Sequence, residues 1–187
     1  IRGGVKIQKR DLETSDTKGQ GSATLKDAEF EIISLNDNAV LVEGKLYSKN
    51  EVVKTILTDI EGVASTSADL LPYGKYRIEE SKAPEGYLTD GAKPIEFEIT
   101  EDGKIVDLTG TDTSIYNQVK RGDLEGVKIG AGTHQRLAGV PFRITSKTTG
   151  ESHIIVTDDN GQFSTSSDWA SHKNNTNAGK KIGRASC

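Results

Sequence analysis

The sequence repeats itself, and this limits the folds open to it. Arg2-Gly3-Gly4-Val5-Lys6-Ile7-Gln8-Lys9 is paralleled by Arg121-Gly122-Asp123-Leu124-Glu125-Gly126-Val127-Lys128. Leu25, Ala28, Phe30 and Ile32 are then paralleled by Leu137, Val140, Phe142 and Ile144. Finally Thr58-Asp59-Ile60-Glu61-Gly62 is paralleled by Thr157-Asp158-Asp159-Asn160-Gly161. Three matches in one order imply two copies of one domain. The first copy, residues 1–119, is complete. The second, residues 120–187, is truncated, with a seam near Val119 to Arg121. Nothing after Phe163 matches Leu71-Pro72-Tyr73-Gly74-Lys75-Tyr76-Arg77-Ile78-Glu79-Glu80. The tail from Ser171 to Cys187 is polar and expected to be mobile, with one helical turn over Ser167–His172 capped by Ser167.

Within each copy the apolar residues recur with a period of two, as they do when alternate side chains face a core. Strands are expected over Glu29–Ser34, Val40–Val42, Val52–Leu57, Tyr76–Glu80, Ile95–Ile99, Ile105–Leu108 and Ile154–Thr157. Turn signals such as Asn36-Asp37-Asn38, Pro84-Glu85-Gly86 and Asp102-Gly103 separate them. Many short strands at this spacing imply an all-β sandwich. The 187 residues are 33% hydrophobic, enough for thin sandwich cores. The net charge of -4, with no basic patch, argues against nucleic acid as a partner. No apolar run approaches the roughly 18 residues of a membrane span, so no membrane contact is expected of this fragment. The chain starts on a strand-like segment and reads as an excised piece of something longer. Its single cysteine, Cys187, cannot form an internal disulfide, so a secreted protein of this composition must stabilise itself otherwise.

Three polar residues fall on the apolar parity. Lys9 follows Val5 and Ile7, Glu80 follows Tyr76 and Ile78, and Asn117 follows Ile115. An ammonium, a carboxyl and a carboxamide facing one core are costly unless paired. An amine, a carboxamide and a proton-shuttling acid buried together are also what two side chains need to fuse into an amide.

The pattern Gly3-x-Val5-x-Ile7-x-Lys9-x-Asp11, then Ala28-Glu29-Phe30, Thr58-Asp59-x-x-Gly62 and Leu71-Pro72-Tyr73-Gly74-x-Tyr76-x-Ile78-x-Glu80-x-x-Ala83-Pro84-x-Gly86-Tyr87 resembles a Cna B-type (SpaA-like, prealbumin-like) domain. Such domains build the stalks of adhesins and pilins on Gram-positive bacteria. The resemblance covers residues 1–119, and residues 120–166 resemble the first half of a second domain. It implies an Ig-like or prealbumin-like sandwich in which Lys9 bonds covalently to Asn117 with help from Glu80. Glu79 is the rival acid, on the opposite face from Tyr76 and Ile78. Burial would lower the Lys9 pKa and favour neutral Glu80. Glu80 would then donate to the Asn117 carbonyl oxygen and pass a proton to the departing ammonia. Lys128, the counterpart of Lys9, is expected to be uncrosslinked here, its natural partners lying beyond residue 187. Asn174, Asn175 and Asn177 lack a matching acid.

The role implied is an extracellular stalk, monomeric and without cofactor or metal, whose partners are neighbouring domains of one surface protein. A binding module for host matrix protein or glycan is the alternative, for which 5% aromatic residues offer little material. A hydrolase using Glu79 and Glu80 is disfavoured because adjacent strand residues face opposite ways. Minor signals have plainer readings. Arg121-Gly122-Asp123 spells an integrin-binding tripeptide at the start of a strand. Asp158-Asp159-Asn160-Gly161 is a hairpin turn before it is a calcium loop. Tyr47-Ser48-Lys49-Asn50 loosely resembles a pilin polymerisation lysine motif. His134, His153 and His172 have no ligand spacing, and Trp169 reads as a local anchor.

Overall fold

The computed structural model describes residues 1–89, 91–147, 150 and 152–165. Two compact units divide the chain, Ile1–Val119 and Lys120–Cys187. All regular elements among the described residues are strands. The helical turn expected over Ser167–His172, Trp169 and the tail asparagines lie outside the described residues.

The first unit contains β1 (Arg2–Asp11), β2 (Glu29–Ser34), β3 (Val40–Val42), β4 (Lys45–Tyr47), β5 (Val52–Leu57) and β6 (Val63–Ser65). It continues through β7 (Leu71–Pro72), β8 (Gly74–Lys82), β9 (Ile95–Ile99), β10 (Ile105–Leu108) and β11 (Ile115–Asn117). One sheet has the order β5-β2-β8-β9, antiparallel throughout. The other is organised around β1. Its first half, Gly4–Ile7, pairs in parallel with β10, and its second half, Lys9–Asp11, pairs in parallel with β11. β7 and β6 pair antiparallel with β1. β3 and β4 form a separate hairpin.

The core lies between the two sheets. Val5, Ile7, Leu108 and Ile115 meet Phe30, Ile32, Tyr76, Ile78, Phe97 and Ile99. Each fully buried side chain of this size contributes roughly 1.5–3 kcal/mol. The period of two then carries Lys9 into the core two places after Ile7, and Glu80 two places after Ile78. β1 also needs its glycines, since a Cβ on Gly4 would lie 2.2 Å from the Ser67 carbonyl oxygen.

The second unit contains β12 (Glu125–Val127), β13 (Pro141–Thr145), β14 (Ser152–Val156) and β15 (Gln162–Ser164). β12 pairs with β15 as β1 pairs with β6, and β13 with β14 as β2 with β5. The repetition reaches individual hydrogen bonds. The Lys9 amide donates to the Gly62 carbonyl at 2.7 Å, and the Lys128 amide to Gly161 at 2.8 Å. Thr58 Oγ1 donates to the Leu25 carbonyl and accepts from the Ala28 amide, and Thr157 does the same with Leu137 and Val140. Asp59 Oδ1 accepts from the amides of Glu61 and Val63, and Asp158 Oδ1 from those of Asn160 and Gln162. The Asp158–Gly161 segment is thus an aspartate-closed turn, completed by Gly161 at φ 69°.

Burial repeats only in part: Ile56 and its counterpart Ile155 are both buried, as are Thr58 and Thr157. Val5 is fully buried, whereas its counterpart Leu124 is 52% exposed. The described second unit has equivalents of β1, β2, β5 and β6. Among its described residues nothing corresponds to β10, which pairs beside Val5 in the first unit, or to β8 and β9, which complete the core there.

Candidate functional site

Three strands converge on one buried polar cluster. β1 supplies Lys9, β8 supplies Glu80 and β11 supplies Asn117. Lys9 and Asn117 are fully buried, and the Glu80 side chain is 1% exposed. Lys9 Nζ lies 2.7 Å from Glu80 Oε2, and Asn117 Nδ2 donates to Glu80 Oε1 at 3.0 Å. One carboxyl therefore touches both nitrogens, one with each oxygen. Lys9 Nζ also lies 5.7 Å from the centre of the Phe30 ring. Phe30 is in register with Glu80 across β2 and β8, and the register slips immediately after, between Glu29 and Phe30. Bulges of this kind re-aim side chains where a strand leaves regular pairing.

Burial sets the electrostatics. It pulls the Lys9 pKa down to about 8, against the attraction of the Glu80 charge. It also pushes Glu80 above the usual carboxylate range, against Lys9 and the Asn117 hydrogen bond. Both shifts favour the same state, a neutral amine beside a neutral acid.

The contacts of Asn117 differ from the expected chemistry in one respect. Its Nδ2 also donates to the Leu88 carbonyl at 2.8 Å. A carbonyl only accepts, so this contact fixes which end of the amide is nitrogen. The nitrogen, not the carbonyl oxygen, faces Glu80, and Oδ1 is buried without a hydrogen-bond partner among the described residues. The geometry suits proton delivery to the departing nitrogen rather than donation by Glu80 to the oxygen.

Glu79 points away from this cluster and pairs with Arg77 at 3.3 Å, both side chains about one-third exposed. Lys128 is half-buried, and no carboxylate pairs with it among the described residues. Lys49 pairs with Asp37 at 2.9 Å in solvent. Asp123 accepts a hydrogen bond from Thr165. No group of three metal-ligating side chains occurs among the described residues, and no helix there is long and apolar enough to cross a membrane.

A second buried network adjoins the cluster. Asp11, two places beyond Lys9 and fully buried, accepts from Tyr87 Oη at 2.8 Å and from Gln20 Nε2 at 3.0 Å. The period of two already places Asp11 on the Lys9 face. Nothing in the sequence indicates that Gln20, from the long β1–β2 connection, closes over it.

The model of the SpaA prealbumin-like fold domain matches residues 4–114. Among solved structures, the Bacillus anthracis TIE protein is similar at 23% identity and TM-score 0.51 over 87% of this chain and 25% of its own. The group B streptococcus pilus 2b backbone protein is similar at 18% identity and TM-score 0.42, over 63% of this chain and 41% of its own. The Corynebacterium diphtheriae major pilin SpaD follows at 17% and 0.43, over 83% and 38%. The chain thus spans between a quarter and about two-fifths of these proteins. The curated proteins contain no match.

Proposed function

Because the chain belongs to the SpaA prealbumin-like fold family, we propose that its first unit is a self-crosslinking stalk domain of a Gram-positive surface adhesin or pilin. Lys9 and Asn117 join in an intramolecular isopeptide bond, and Glu80 handles the protons. The second unit is a partial copy of the same domain, in which Lys128 stays uncrosslinked. The partners are neighbouring domains of the same protein, outside the cell. The observation that carries this reading is the Glu80 carboxyl bridging Lys9 Nζ and Asn117 Nδ2 inside an apolar core.

The steps balance. Lys9 and Glu80 start as the neutral pair, with the carboxyl proton on Oε1, and the free amine attacks Asn117 Cγ. The Nζ–Cγ bond forms, and the amine's further proton passes to Oε2 as Oε1–H protonates Nδ2. The Cγ–Nδ2 bond breaks and ammonia leaves. Glu80 ends as it began, after one event per molecule, so this is not enzymatic turnover. Digestion should yield a branched peptide containing both Lys9 and Asn117. Recovery of both residues only in separate linear peptides would refute the crosslink.

The amine also makes a pH signature in Asn117→Ala, where it stays free. Its folded pKa of about 8 lies below the ordinary 10.5. Between those values the unfolded chain holds a proton that the fold does not, so stability rises with pH across that window. Glu80 has the opposite sign: the fold holds its proton above the ordinary 4.5, so stability falls as pH rises through that range. Thermal midpoints of Asn117→Ala should therefore climb between pH 8 and 10.5 relative to the Lys9→Met, Asn117→Ala double variant. Parallel curves would exclude a depressed Lys9.

A further inference from the structure

Asp11 is a fully buried carboxylate that the reaction above leaves unused. It is in register with Asn117 across β1 and β11. Among the described residues no cation pairs with it. Its oxygens are held by the amides of Glu13 and Thr14, by Gln20 Nε2 and by the Tyr87 hydroxyl. A buried carboxylate satisfied only by uncharged donors is a costly way to hold a loop, and what it holds leads to the crosslink.

Tyr87 is the link. Its hydroxyl donates to Asp11 Oδ2 at 2.8 Å and accepts from the Gln20 amide at 3.2 Å. Its ring packs with Leu25 and Val119 in a second small core. The chain just before it is tightly seated: a Cβ on Gly86, at φ 87°, would lie 2.5 Å from the Ala23 Cβ. The residue just after it is Leu88, whose amide donates to the Gln118 carbonyl at 2.8 Å. The Leu88 carbonyl is the group that fixes the Asn117 amide.

We propose that Asp11 and Tyr87 are positioning residues for the crosslink. Asp11 grips the Tyr87 hydroxyl, and this seats the Leu88 carbonyl that turns Asn117 Nδ2 onto Glu80. The inference rests on the crosslinking reading. Neither side chain touches the atoms that react, which are Lys9 Nζ, Asn117 Cγ and Nδ2, and the Glu80 carboxyl. Their contribution is orientation, to which near-attack chemistry is steeply sensitive.

The test follows ammonia loss over time in the full chain made by cell-free synthesis, with aliquots denatured and weighed intact. Tyr87→Phe keeps the ring in its core and removes only the hydroxyl. It should slow the reaction about tenfold, the effect of one buried hydrogen bond. Asp11→Asn should do the same by turning an amide toward Tyr87, and the double variant should be no slower than either single one. The pH profile of the rate should keep its midpoint, which Lys9 and Glu80 set. Val53→Ala, in the main core on β5, serves as a stability control, matched by thermal midpoint in the Asn117→Ala background, and should stay within about twofold of wild type. A wild-type rate in Tyr87→Phe would overturn the proposal. So would additive single effects, or equal slowing in Val53→Ala at matched stability. A wild-type chain that never loses ammonia would instead sink the crosslinking reading itself.

Discussion

Denatured and weighed intact, the wild-type chain is expected to be lighter than its sequence by one ammonia, and Glu80→Ala to have the full mass. The argument concerns proton inventory more than affinity. At neutral pH a lysine presents no lone pair, and an amide nitrogen leaves badly unless protonated. Holding amine and amide together supplies proximity, worth on the order of 7–11 kcal/mol of barrier. Proximity alone leaves the proton on the wrong nitrogen. Glu80 contacts Lys9 Nζ with one oxygen and Asn117 Nδ2 with the other, so it can accept at one end and donate at the other. General acid–base catalysis of this kind contributes about 10²–10⁴-fold. Glu80→Gln keeps the shape without an exchangeable carboxyl proton, and should also retain the full mass. Glu79→Ala should still lose ammonia, because that side chain pairs with Arg77 away from the cluster. A deficit that survives Glu80→Ala and vanishes in Glu79→Ala would reverse the choice of acid.

Sequence legibility followed the range of the force involved. β2, β3, β5, β9 and β10 have the bounds that alternation and turn residues predict, since period and turn chemistry are local. β4, with Lys45 and Leu46 exposed beside Tyr47, has no apolar alternation to reveal it. β7 is two residues long and exists because β1 pairs with it. At the site, parity alone put Lys9, Glu80 and Asn117 on core-facing positions and separated Glu80 from Glu79. Which atom of Asn117 faces Glu80 was not readable. That is decided by the carbonyl of Leu88, 29 residues earlier and on no strand. The exposure of Leu124, matched in sequence to buried Val5, depends on which strands cover it.

Asn117→Ala is expected to cause the largest loss of stability of the variants considered, and to change how the unit bears load. The bond would close a loop of about 108 residues, for which chain entropy gives roughly 4–5 kcal/mol. For a unit of this size that corresponds to a thermal midpoint lower by about 16–20 °C. Cys187, the single cysteine, offers no internal disulfide to compensate. The mechanical effect follows from topology. β1 and β11 are the first and last strands of the unit and lie side by side in parallel. Pulling Ile1 and Val119 apart therefore shears a pairing only three residues long, Lys9–Asp11 against Ile115–Asn117. With Lys9 joined to Asn117 the load crosses directly from one strand to the other, and the chain between them carries none. Without the bond, unfolding should release about 350–390 Å of chain, at 3.3–3.6 Å per residue. Single-molecule pulling across residues 1–119 should thus show no such step in wild type and a step of that length in Asn117→Ala. A full-length step in wild type, from molecules shown by mass to be crosslinked, would mean that the bond does not bear the load.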